Sequence, residues 1–199
     1  MRKISKMLAL VLIAVLALGT FSACGAEEQT LTGTWEIEMD VKNYGIIRME
    51  LDADAAPVTV TNFVNLARSG FYDGLTFHRV YSGFVIQGGD PRGNGTGGSG
   101  KKIEGEFMAN GIYNPLAHTR GAVSMARLGN DYNSATSQFF IVHDDSARDS
   151  LDGLYACFGY VTEGMEVVDA ICRNTPVLDG NGSVAAEYQP VINYVKVIE

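Results

Sequence analysis

The stretch FHRVYSGFVIQGGD, Phe77 to Asp90, is the part of this chain from which the rest can be read. Its apolar residues predict a strand through Phe77 and Val80, a turn at Ser82-Gly83, and a second strand from Phe84 to Gln87. Residues two apart on a strand share a face, so alternation sets Phe77 and Arg79 side by side. A second stretch, SQFFIVH from Ser137 to His143, echoes the first with an amide followed by aromatic rings. Together they supply one permanent cation, two amides and several apolar rings, without an evident nucleophile or metal cluster. Such a set suits chemistry done by binding alone.

Outward from this hairpin the pattern stays β-rich. Trp35, Ile37, Met39 and Val41 alternate with Glu36, Glu38 and Asp40, which predicts a half-buried strand. Asn43-Tyr44-Gly45 turns the chain, and Ile47, Met49 and Leu51 return as its antiparallel neighbour. Pro57 then opens a segment in which Val60, Phe63, Val64 and Ala67 fall at helical spacing, with Gly70 after the last turn. Its start, Val58-Thr59-Val60-Thr61, is poor in helix propensity, so packing must decide in favour of a helix. Further strands are predicted over Gly121 to Ala126, Ser137 to His143 and Ala156 to Thr162, and a last one in PVINYVKVI. Met165, Val168, Ile171 and Cys172 mark a second helix, with Arg173 near its negative end. About eight strands and two helices, mainly β, suggest a barrel or a sandwich.

At 199 residues, 46% of them hydrophobic and 23 of them glycine, the chain has room for one sizeable core and no second catalytic domain. Residues 1–23 open with Arg2, Lys3 and Lys6 and continue in an apolar run from Met7 to Leu18, which reads as an export signal. That run is short of the roughly 20 residues a membrane-spanning helix needs. Phe21-Ser22-Ala23-Cys24 resembles the bacterial lipobox, in which the cysteine is lipidated and becomes the first residue of the mature protein. Ordinary cleavage near Ala23, leaving a free thiol, is the second reading. The expected organisation is thus a leader at 1–23, a lipid-anchored tether at 24–33 and a folded domain over 34–199, held at the outer face of a bacterial cytoplasmic membrane. Loss of the leader would leave 12 basic against 23 acidic residues, a formal −11, a poor partner for nucleic acid. Cys157 and Cys172 both sit among apolar residues and read as buried thiols rather than a disulfide.

The motifs FHRV, GFVIQGGD, GTGG, SMA, SQFFI and LDG occur in this order, and from about Trp35 onward the chain resembles the cyclophilin family of peptidyl-prolyl cis-trans isomerases. The resemblance implies a closed eight-stranded antiparallel barrel capped by two α-helices. It also implies a substrate class, proline-containing unfolded or flexible polypeptides, turned over without cofactor or metal by a monomer.

Rotation about a peptide bond is opposed by resonance, a barrier of roughly 18–20 kcal/mol. No bond need break, so an enzyme has only to favour the twisted amide over both planar forms. In the twisted form the prolyl nitrogen becomes pyramidal and can accept a hydrogen bond. An arginine, always charged and rigidly forked, is a suitable donor. Taken alone, Arg79 would be read as a surface ion-pairing residue; the resemblance makes it the catalytic arginine. The proline cup is then expected from Phe84, Val85, Phe140, Leu151 and Tyr155, while Phe139, out of phase with Phe140, falls to the core. Gln87 and Gln138 match glutamines that hold the arginine and the substrate backbone. Ala126 and Arg127 match the segment whose main chain pairs with the peptide, and His78 matches a histidine at the pocket's flank. Ser150 stands where many members carry a tryptophan that contacts cyclosporin, which predicts weak binding of that drug with activity kept.

Other chemistries find little support. Gly95 to Lys101 matches G-x-x-x-x-G-K, but Lys102 occupies the position of the hydroxyl that would hold magnesium. Asp179 to Ser183 begins like a calcium loop, yet Val184 replaces the glycine required sixth, so a turn is expected. His118 and His143 form no spaced motif and read as loop and strand-end residues. The competing functional class is a peptide-binding chaperone or assembly module that kept the pocket without turnover.

Overall fold

The computed structural model describes residues 29–198, in which eight strands form one antiparallel sheet that curls around a single main core. β1 (Thr34–Val41) and β2 (Gly45–Asp52) pair from Trp35 opposite Leu51 to Val41 opposite Gly45. The turn between them runs through Asn43 at φ 67° and Gly45 at φ 118°, backbone that asparagine and glycine tolerate best. Then come α1 (Pro57–Arg68), β3 (Phe77–Tyr81), β4 (Val85–Gly88), β5 (Ala122–Met125), β6 (Phe139–Val142), the single turn α2 (Arg148–Leu151), β7 (Cys157–Glu163), α3 (Met165–Asn174) and β8 (Ile192–Ile198). In space the strands lie in the order β3-β4-β6-β5-β7-β2-β1-β8.

The expected closed barrel is not reached as a continuous ladder. β3 and β8 are the two edges of the sheet, and their junction is one bridge between Thr76 and Val191, just outside both strands. Three main-chain hydrogen bonds flank it, from Gly74 to Ile192, Ile192 to Leu75 and Phe77 to Pro190. The chain diverges beyond them because β3 turns its outer edge to residues 182–184 instead: Val80 N–H donates to Gly182 O at 2.7 Å and Val184 N–H to His78 O at 3.0 Å.

Packing does override propensity in α1. Ala56 offers no capping side chain, and the helix start is instead capped from a distance by Glu106, which is buried. Its two carboxylate oxygens accept Val58 N–H at 2.9 Å and Thr59 N–H at 2.8 Å. A negative charge on orphan N–H groups at the positive end of the helix dipole is favourable on both counts. The buried face of α1 carries Phe63, whose ring meets Tyr72 at 4.9 Å, Phe158 at 5.3 Å and Phe139 at 5.5 Å.

A second, smaller apolar cluster lies on the opposite face of β4, β5 and β6. Val85, Ala122, Phe140, Val142, Leu151 and Cys157 form it, with Phe84, Ala126 and Tyr155 packed against them. The strand period of two separates the clusters: Phe139, Ile86 and Val123 point into the main core, and Phe140, Val85 and Ala122 point away from it.

Ahead of β1 the chain is already docked, with Leu31 N–H donating to Thr61 Oγ1 at 2.8 Å and Ala53 N–H to Gly33 O at 2.9 Å. The export signal and Cys24 lie outside the described residues. Among the described residues no helix is long and apolar enough to cross a membrane. Cys157 is buried and Cys172 half-buried, and both are free thiols; burial pushes the first up to about 12 and the second up to about 11.

Candidate active site

Arg79 reaches the second cluster because β3 is irregular. Phe77 pairs with Gly88 but Arg79 pairs with Gln87, so two residues of β3 span one step of β4, a bulge centred on His78. Simple alternation, which places Phe77 and Arg79 on one face, is therefore wrong here. Phe77 is fully buried in the main core against Phe139, while Arg79 emerges on the outer face with Gln87 opposite.

On that face lies a cavity of about 190 Å³. Phe84, Val85, Phe140, Leu151 and Tyr155 give it apolar walls, Arg79 and Gln87 form one lip, and Ala126 and Arg127 form the other. Val85, Phe140 and Leu151 are buried, and the Phe140 and Tyr155 rings meet edge to face at 5.7 Å. This is smaller than the roughly 300–1,000 Å³ of sites for drug-sized ligands, and suits one small ring.

The arginine is held on two sides. Its Nε donates to the carbonyl of Asn181 at 2.8 Å and Nη1 to Gln87 Oε1 at 3.4 Å, while the guanidinium lies 5.6 Å from the centre of the Phe84 ring. Burial pulls its pKa below the ordinary value, opposed by Tyr155, Tyr81 and Asp179, and it remains a cation at any physiological pH. Behind Gln87 the amide polarity is set in sequence. Gln138 Nε2 donates to the carbonyls of Gly95 at 3.1 Å and Gly97 at 2.7 Å, so Gln138 turns Oε1 to Gln87 Nε2 at 2.9 Å. Gln87 is left presenting its own oxygen to Arg79. Nη2 of Arg79 has no acceptor among the described residues.

Not every expected residue is in the cup. Gln138 lies behind it and borders a neighbouring cavity of about 580 Å³ that shares Gln87, Ala126 and Arg127 with the cup. His78, only 7% exposed, borders a third cavity of about 480 Å³ beside Arg79, and its Nδ1 has no partner among the described residues. Arg127 directs its donors to the carbonyls of Leu154, Leu128 and Gly129 and lies 4.5 Å from the Tyr155 ring.

Two parts of the site were not visible in the sequence. The first is Asn181, 102 residues from Arg79. Its turn is built on Asp179 Oδ1, which accepts N–H bonds from Asn181 at 2.9 Å and Ser183 at 3.1 Å. The expected turn is there, and it delivers a carbonyl to Arg79. The second is His118, which lies in a loop as expected but is only 1% exposed. Its Nδ1 meets Asp152 Oδ1 at 2.9 Å, its Nε2 meets Ser124 Oγ at 2.9 Å, and its ring stacks at 6.0 Å on Phe140. Burial holds His118 below its ordinary pKa against the opposing pull of Asp152. A neutral ring beside a carboxylate carries its proton on Nδ1, leaving Nε2 to accept from Ser124. The order Asp-His-Ser is that of a hydrolase triad, but Ser124 is fully buried, so the chain of bonds braces Phe140 and Leu151 from behind.

The glycine-rich loop cradles a resident anion. Asp90 accepts N–H bonds from Arg92 at 2.8 Å, Asn94 at 3.1 Å and Gly95 at 2.6 Å, occupying the amides that a phosphate would need.

Residues 36–197 match the family model described as cyclophilin type peptidyl-prolyl cis-trans isomerase/CLD. The chain is 52% identical over 120 residues to peptidyl-prolyl cis-trans isomerase B of Bacillus subtilis, spanning 60% of this chain and 78% of that protein. It is 48% identical over 131 residues to a peptidyl-prolyl cis-trans isomerase of Helicobacter pylori, spanning 65% and 76%. Its fold is similar to a Cryptosporidium parvum cyclophilin type isomerase crystallised in the presence of the dipeptide Ala-Pro, with a TM-score of 0.70 and 32% identity over 82% of this chain and 99% of that one. A curled antiparallel sheet, a small apolar-walled cup on its outer face with an arginine at the lip, and a family match across nearly all the described residues lead to one assignment: the chain belongs to the cyclophilin-type peptidyl-prolyl cis-trans isomerases.

Proposed function

We propose that Arg79 carries the isomerisation of Xaa-Pro bonds by donating to the prolyl nitrogen of the twisted amide while the proline ring sits in the cup of Phe84, Val85, Phe140, Leu151 and Tyr155. The observation that carries this reading is the anchoring of Arg79 from two sides with Nη2 left over at the lip of that cavity. A planar amide nitrogen has no lone pair to offer, so such a donor lowers the barrier without binding either ground state more tightly. Gln87 and Gln138 set the arginine's orientation, and Ala126 and Arg127 present main chain to the substrate. His78 flanks the site and is not a proton donor to the reaction. Proline-containing unfolded segments are the substrate class, and no cofactor enters the scheme.

The test is the rate of proline-limited peptide isomerisation for wild type and Arg79→Ala. The expected result is a clear wild-type rate that falls by about 10²–10³ in the variant, the usual loss on removing a preorganised donor. Peptide binding by the wild type with no rate above background would make the protein a binding module.

We further infer from the sequence of residues 1–24 that the domain works outside the cytoplasm, tethered by a lipid on Cys24, where it assists the folding of exported proteins. Mass spectrometry of the mature N-terminus tests this, and an unmodified Cys24 or cleavage elsewhere would overturn it.

A further inference from the structure

Six of the described arginines fall into two contrasting sets. Arg48 pairs with Glu38 and Glu163, Arg120 with Asp169, and Arg148 with Asp152, all at 2.8–3.1 Å. The three around the cleft have no carboxylate partner. Arg79 and Arg127 direct their hydrogen bonds to carbonyls and one amide oxygen. Arg92 is exposed, and its guanidinium makes no hydrogen bond or ion pair among the described residues. The carboxylate two residues before it, Asp90, has its oxygens filled by main-chain N–H groups, including that of Arg92 itself.

Arg92 also occupies a particular place. It borders both larger cavities that flank the cup, and Gln87 borders all three. None of the residues lining these cavities is an aspartate or glutamate. A chain of 23 acidic and 15 basic residues thus lines its cleft without a carboxylate and leaves one arginine there with every side-chain donor unused. An unpaired guanidinium beside a peptide cleft is a ready acceptor site for a carboxylate, with which it forms short, forked, charge-assisted bonds.

We propose that Arg92 is a specificity-determining residue, selecting Xaa-Pro segments that carry an acidic side chain within a residue or two of the proline. The inference rests on the isomerase reading of the cup and goes beyond it. The net charge of the chain is negative while the cleft lining carries arginines and no carboxylate, so the field favours such peptides at the cleft as well as holding them there. Arg127 contributes charge but spends four of its five N–H donors on carbonyls, and Arg79 is committed to the reacting amide.

The test uses one neutral Ala-Pro peptide scaffold in which Gln, Glu or Lys is scanned through the positions flanking proline, with exchange rates and Kd read by NMR so that no coupling protease adds its own preference. At one position the wild type is expected to favour Glu over Gln by about threefold to tenfold, the range for a partly exposed charge-assisted pair. Lys at that position should be disfavoured. In Arg92→Gln the Glu-to-Gln ratio collapses to about one, in Arg92→Glu it inverts in favour of Lys, and in about 1 M salt, where screening acts within about 3 Å, it shrinks in the wild type. A wild-type ratio of one at every position, or a ratio that survives Arg92→Gln, overturns the inference. The Kd ratio decides it even if no exchange is catalysed, and absence of exchange on the neutral peptide is the separate result that would count against the isomerase reading.

Discussion

Replacing Arg79 by lysine separates charge from geometry. The cation remains over the Phe84 and Tyr81 rings, whose centres lie 5.6 and 5.8 Å from the guanidinium carbon. What disappears is the fork. Arginine uses Nε for Asn181 and Nη1 for Gln87 and still has Nη2 for the substrate, three directions fixed in one plane. An ammonium on a flexible stem can satisfy the Asn181 carbonyl or reach the cup, and its rotamer freedom must be lost to do either. Losing one preorganised donor costs about 2.7–4 kcal/mol in comparable sites, and part of that is returned here because the field of the cation persists. The expected loss is about 30–100-fold in kcat/KM, equivalent to about 2–2.7 kcal/mol, with KM nearly constant since neither planar isomer uses the donor. The assay is exchange of a neutral Ala-Pro peptide, with urea unfolding to confirm that the variant is folded. A lysine variant retaining more than about a third of the wild-type rate would show that charge alone suffices and that the two-sided anchoring is incidental.

Four further outcomes are expected. Gly182→Ala should lower stability by about 2 kcal/mol or more and activity with it, because φ is +82° there and a Cβ would press on the Val80 carbonyl, shifting the Asn181 turn; wild-type urea midpoint and rate would refute this. Glu106→Gln should cost about 1–2 kcal/mol in urea unfolding through loss of the charge on the α1 amides, with the active site unaltered. Stability should fall as pH drops below about 6.5, since burial holds both His78 and His118 below that ordinary value and the unfolded chain takes up the protons first; it should be full above that pH, and a urea midpoint unchanged between pH 8 and pH 5 would contradict the sign. Cyclosporin should inhibit poorly, because the exposed Ser150, whose hydroxyl donates to Ala147 O, offers the drug no ring; nanomolar inhibition in the peptide assay would refute that.

The elements were legible because they rest on short-range pattern, and the cup because ordered motifs resemble a known family. Alternation in β1 and β2, helical spacing after Pro57, and the change of face between Phe139 and Phe140 each depend on neighbours in sequence. Alternation failed at one position, between Phe77 and Arg79, where a single extra residue in β3 flips the face, and nothing in FHRV announces the bulge. The open junction between β3 and β8 was equally invisible, since it depends on whether two distant edges meet along their length or at one bridge. Glu106, His118 and Asn181 share a cause: each acts on a residue far away in the chain or through an atom every residue has. A carbonyl such as that of Asn181 carries no side-chain signature, and a buried His-Asp-Ser chain leaves no spacing to detect.

The strap across Arg79 has a consequence for how activity arises. Synthesis delivers a chain from its N-terminal end, and here Asn181 follows the arginine by 102 residues, while β8 must arrive before β1 gains its second neighbour. A nascent chain therefore has its proline cup and glutamine relay outside before the segment that steadies the arginine has emerged, and the long loop must close before those contacts repay its entropy. On the role proposed for Arg79, catalytic competence arises only once the whole chain has emerged, so a half-emerged molecule can be a substrate for its own kind before it can turn one over.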